Sequence, residues 1–135
     1  MTLKVGVIGA SFAKAAFLPA LKNISDADVV ALASARQSSA EAAAKQFAVP
    51  NAYDNWETML AKHKLDLVCI ATPTNTHAPM TLAALESGAH VLCDKPMAMN
   101  VAESQAMLET AKRLGRIHMI DHELRFNPTR QKIKE

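Results

Sequence analysis

Short apolar runs and amphipathic stretches alternate along this chain. Leu3 to Ile8 is rich in Val and Ile and ends at Gly9, which predicts a buried strand. Ala, Leu and Phe then recur at helical spacing from Phe12 to Asn23. Val29 to Ala33 reads as a second strand, with Ser38 or Ser39 capping a helix through Phe47. Asn51 to Tyr53 reads as a short third strand. Asp54, with Glu57 three residues on, has the form of a capping box for a helix to about His63. Leu65 to Ala71 is nearly continuous in apolar residues, the pattern of a parallel strand covered on both faces. A helix from Ala78 to Ser87 stops at Gly88, and Val91 to Cys93 forms a fifth strand. Asn100 and Glu103 open a helix that Gly115 ends, and Ile117 to Leu124 reads as a sixth strand.

This alternation predicts an α/β fold: a doubly wound parallel sheet with helices on both faces and right-handed crossovers. One domain spans residues 1–124. Residues 125–135 read as the start of a connection, with Pro128 to Glu135 the first turns of a further helix. The 135 residues are 50% apolar but only 4% aromatic, so Ala, Leu, Val and Met must fill the core. The net charge is +2 and the basic residues are scattered, which argues against a nucleic-acid partner. Lys14 and Pro19 interrupt the apolar N-terminal stretch, and no run reaches the ~20 residues of a membrane span, so the expectation is a cytoplasmic protein without a membrane partner. Cys69 and Cys93 fall in predicted buried strands without metal-ligand spacing, which suits reduced structural thiols.

The candidate chemistry lies where strands end. Gly9-Ala10-Ser11-Phe12-Ala13-Lys14 joins the first strand to the first helix. A dinucleotide fingerprint puts glycine at the first, third and sixth positions, and only Gly9 is present. Ser11 is small and offers a hydroxyl to phosphate, and Phe12 is counted with this loop. The second strand ends in Ser34-Ala35-Arg36, with no carboxylate between Asp28 and Glu41. An NAD site usually has an acid there for the ribose hydroxyls. Arg36 and Ser34 instead suit a 2′-phosphate, so NADP(H) is favoured over NAD(H). Thr72-Pro73-Thr74-Asn75-Thr76-His77 follows the fourth strand and should line the crevice, with Thr72, Pro73, Asn75 and His77 as candidates. Asn75 or Thr76 could equally cap the next helix. His77 lacks a second ligand at metal-binding spacing, and no metal is expected. Asp94-Lys95-Pro96 places a cation just beyond the fifth strand.

Together these segments (GVIGAS, the Ser/Arg strand end, AYDNWETML, the stretch from Asp66 to Pro96, and ELRFNP) resemble the Gfo/Idh/MocA family of oxidoreductases, from about Leu3 to Pro128. Asp94 stands where the family usually has Glu, and Ser11 and Lys14 replace the second and third fingerprint glycines. The resemblance implies an N-terminal Rossmann domain that binds a nicotinamide dinucleotide. It implies hydride transfer to or from a sugar, inositol or related polyol. Lys95 would then be a catalytic residue beside the nicotinamide and the substrate oxygen, positioned by Asp94 and Pro96. Family members carry a second α/β domain with most of the substrate pocket and the acid/base residues, so this chain is expected to be the cofactor domain of a longer enzyme. A homo-oligomer is compatible with that. The same family includes a dinucleotide-binding repressor, which makes a non-catalytic regulatory module the alternative.

Overall fold

A computed structural model describes residues 2–134. Six strands form one sheet in the order β3-β2-β1-β4-β5-β6, and every neighbouring pair is parallel. The strands are β1 (Leu3–Ile8), β2 (Ala27–Ala33), β3 (Asn51–Tyr53), β4 (Leu67–Ile70), β5 (His90–Asp94) and β6 (His118–Asp121). The helices are α1 (Ala10–Ala15), α2 (Phe17–Leu21), α3 (Gln37–Phe47), α4 (Trp56–Lys62), α5 (His77–Glu86), α6 (Val101–Leu114) and α7 (Pro128–Lys134). This is the doubly wound Rossmann order, with its switch point between β1 and β4.

Side chains alternate across the strands and so feed two cores. Val5, Val7, Leu32 and Cys69 pack with Ala13, Leu18, Ala40 and Ala43 on one face. Ile8, Ala31, Val68, Ile70 and Val91 pack with Met59, Met80, Leu85 and Ala111 on the other. Small Ala side chains let the helices sit close to the sheet, as the scarcity of aromatics requires. Among the described residues no helix is long and apolar enough to cross a membrane.

Several boundaries differ from the sequence expectation, each for a local reason. The first helix is two, broken at Ala16 (φ −126°, ψ −69°). Pro19 cannot donate to the Ala15 carbonyl and its ring crowds that oxygen, so one continuous helix is forbidden. α3 is capped by neither Ser38 nor Ser39, because Arg36 is the extended N-cap residue and its carbonyl accepts from Ser39 and Ala40. Asn55, not Asp54, caps α4: its side-chain oxygen accepts from the Thr58 N–H at 2.6 Å. Asn100 caps α6 as expected, but the return bond of the box goes to the residue before the cap. Asn100 accepts from the Glu103 N–H at 2.9 Å, and Glu103 accepts from the Met99 N–H at 3.0 Å. β2 starts earlier than expected and includes Asp28. β6 stops at Asp121, paired with Asp94, well short of Leu124. On the partner side β5 also ends, at Asp94, and Pro96 two residues on has no N–H to extend the ladder. The chain turns instead into a short 3₁₀ segment, Glu123–Phe126.

Candidate functional site at the carboxyl edge of the sheet

Two cavities open along the carboxyl edge. The first, about 390 Å³, lies over the switch point and is lined by Gly9, Ser34, Asp54, Trp56, Thr72 and Pro73, among others. The second, about 540 Å³, lies over the β5–β6 end and is lined by Lys95, His122, Glu123, Arg125, Phe126 and Arg130, among others.

Gly9 explains the shape of the first cavity. It connects β1 to α1 at φ 103°, ψ 104°, a conformation that side chains rarely adopt. A Cβ there would also run into the Ala71 carbonyl beyond β4. Gly9 donates its N–H to the Ala33 carbonyl at 2.8 Å, and Ala71 donates to that of Ile8 at 2.8 Å. The ends of β1, β2 and β4 are thereby drawn together, and the open backbone at Gly9 forms the floor. This cradle, which any Cβ would fill, suits the close backbone approach a dinucleotide pyrophosphate needs.

Thr72, Pro73 and Thr76 form the opposite wall. The Thr76 hydroxyl donates back to the Pro73 carbonyl at 2.6 Å and lies 2.7 Å from the Thr72 hydroxyl. Those bonds tighten the turn. No side chain caps α5, so neither Asn75 nor Thr76 takes the capping role considered from sequence.

At the second cavity Asp94 accepts from the backbone N–H of Lys95 at 2.7 Å, which fixes how the lysine leaves β5. Lys95 is exposed on the cavity wall. Asp94, Asp121 and Glu123 each bring a carboxylate oxygen within 4.8 Å of the others. Burial, then the charges of Glu123 and Asp94, raise the Asp121 carboxyl above its ordinary value of 3.8, against the opposing charges of His122 and Lys95. The folded state therefore holds this proton more tightly than the unfolded chain. Stability falls as pH rises from about 3.8 through the raised value, then stays at the lower level. Asp121→Asn should accordingly raise the melting temperature at pH 7 and give no gain below pH 3.8, read by thermal unfolding across pH.

The remaining candidates are placed as follows. Ser11 lies exposed in the first turn of α1, and Asn75 is exposed in the Thr74–Thr76 turn; neither lines the two cavities. Phe12 packs edge-to-face on Phe17 at 6.0 Å. Arg36 is exposed one residue beyond Ala35, which lines the first cavity. His77 is 1% exposed, and its ring touches the carbonyls of Thr72 and Pro96. Burial pushes both thiols, Cys69 and Cys93, up to about 12, so they are inert at neutral pH. Asp54 and Trp56 were missed as cavity residues. The available signal was position, since both follow a strand end on the same edge. Glu123, Arg125 and Arg130 were missed because a sixth strand through Leu124 hides the turn that brings them to Lys95.

The comparisons agree with this geometry. The model of an oxidoreductase family described as having an NAD-binding Rossmann fold matches residues 3–122. D-glucoside 3-dehydrogenase of Escherichia coli is 36% identical over 110 residues, 82% of this chain and 31% of that protein. Myo-inositol 2-dehydrogenase of Thermotoga maritima is 28% identical over 98% of this chain and 40% of its own length. A solved 3-ketoreductase from Actinomadura kijaniata in complex with NADP superposes with a TM-score of 0.90 at 27% identity, covering 98% of this chain and 42% of that one. The chain thus spans about a third to two fifths of the length of these relatives. With the fold, the switch-point cradle and a family match over residues 3–122 in agreement, the chain belongs to the Gfo/Idh/MocA family of oxidoreductases, as its Rossmann domain.

Proposed function

We propose that this chain is the cofactor-binding part of an enzyme that oxidises or reduces a sugar, an inositol or a related polyol, with NADP(H) favoured over NAD(H). The observation that carries this reading is the pair of cavities on one sheet edge, with Gly9 in the first and Lys95 on the wall of the second. A dinucleotide laid across the switch point would put its phosphates over Gly9 and one end towards Lys95. The nicotinamide supplies or accepts the hydride.

Within that arrangement the residues have separate tasks. Gly9, Ser34, Thr72 and Pro73 shape the adenosine and phosphate side. Ser11 and Asn75 stand nearby with free polar groups for an extended ligand. Arg36, the N-cap residue of α3 two residues past Ser34, supplies the cation for a ribose 2′-phosphate. Lys95 holds a proton and positive charge at Nζ, where it stabilises negative charge on the reacting oxygen. Asp94 and Pro96 set the direction from which it does so. The names of relatives that act on glucosides and inositol support this substrate class.

Fluorescence titration of the chain with NADPH and NADH is the direct test. We expect both to bind, NADPH more tightly. A chain that binds neither would overturn the proposal.

A further inference from the structure

His77 is one of two fully buried polar side chains among the described residues, and it stands between the two cavities. It opens α5, directly after the Thr74–Thr76 turn. Its Nε2 lies 2.8 Å from the Thr72 carbonyl oxygen and its Nδ1 lies 2.9 Å from the Pro96 carbonyl oxygen. Both partners are carbonyl oxygens, which only accept. The ring therefore fills the space between them, with an N–H to give to either.

The two carbonyls belong to different walls of the site. Thr72 lines the cavity over Gly9, and Pro96 directly follows Lys95. Among the described residues no other hydrogen bond joins these two loops. The geometry points to His77 as a positioning residue whose buried ring bridges the two carbonyls and holds the Lys95 segment at a fixed distance from the cofactor loop. Its burial leaves the ring no water to use instead, so losing either bond strands a buried polar group. The sequence pattern places His77 against the cofactor; in the fold it acts one layer behind, on the backbone that carries the contacts. This inference rests on the proposal that both cavities belong to one site.

The test uses the chain without nucleotide. Amide hydrogen exchange of the unsubstituted chain sets the reference for the two loops and the sheet. In His77→Gln and His77→Phe, the amides of Thr76 and Lys95 should exchange at least about tenfold faster, while those of β1 and β4 keep their protection. Equal acceleration across the sheet, or no change in the two loops, would show a residue that serves packing alone. NADPH titration runs beside these measurements. If the unsubstituted chain binds no nucleotide, the functional proposal fails, yet loop exchange still decides the role of His77.

Discussion

Replacing Gly9 by alanine should lower the melting temperature by at least about 5 °C and abolish nucleotide binding. Two costs combine. The first is conformational: at φ 103° and ψ 104° a side chain is strained, at roughly 1–3 kcal/mol. The second is steric, because the added Cβ meets the Ala71 carbonyl and either β1 or β4 must give way. In a domain of this size each kcal/mol is worth about 3–5 °C. The chain contains its own controls. Ala48 already sits at φ 58°, so the fold tolerates an alanine in the left-handed region. Gly115 lies at φ 61° with nothing within 4 Å of where a Cβ would stand, so Gly115→Ala should cost only about 1 kcal/mol. Differential scanning calorimetry of both variants separates the two costs. If Gly9→Ala melts like Gly115→Ala and still binds NADPH, Gly9 is an ordinary turn residue and the cradle is not what brings the dinucleotide in.

The strands and the switch point were legible because parallel, doubly covered strands are apolar along their whole length. That pattern survives even in β4, where Leu67, Val68, Cys69 and Ile70 stand without a polar break. Caps were legible where one residue offered itself, as at Asn100, and misread where two neighbours competed, as at Asp54 and Asn55. The helix break at Ala16 was signalled by Pro19, but the surrounding Ala and Leu periodicity masks it. The site was legible where it lies on strand ends. It was hidden where it depends on what two distant turns bring together, as with Asp121 and Glu123 beside Asp94. His77 shows the same limit. Its residue type and place in the turn are visible in the sequence, but its two acceptors are 5 and 19 residues away and appear only in the folded chain.

On the proposed reading, the preference between dinucleotides turns on a balance of two charges. Arg36 opens α3 directly after Ser34 and Ala35, which line the cavity. Across the same cavity lies Asp54, a carboxylate just past β3 rather than at the end of β2. A 2′-phosphate is drawn to Arg36 and repelled by Asp54, whereas a free 2′-hydroxyl is nearly indifferent to the first and welcomes the second as an acceptor. Charge-assisted hydrogen bonds are worth about 1.5–3 kcal/mol, so Arg36→Ala should weaken NADPH about 10- to 100-fold. NADH should change less than about twofold. Asp54→Asn should act in the opposite direction, tightening NADPH and weakening NADH, and the double variant should fall between. Titrating both nucleotides against the three variants measures the balance. An equal loss of NADPH and NADH on Arg36→Ala would mean that the arginine supports the site as a whole and that the 2′-phosphate is read elsewhere.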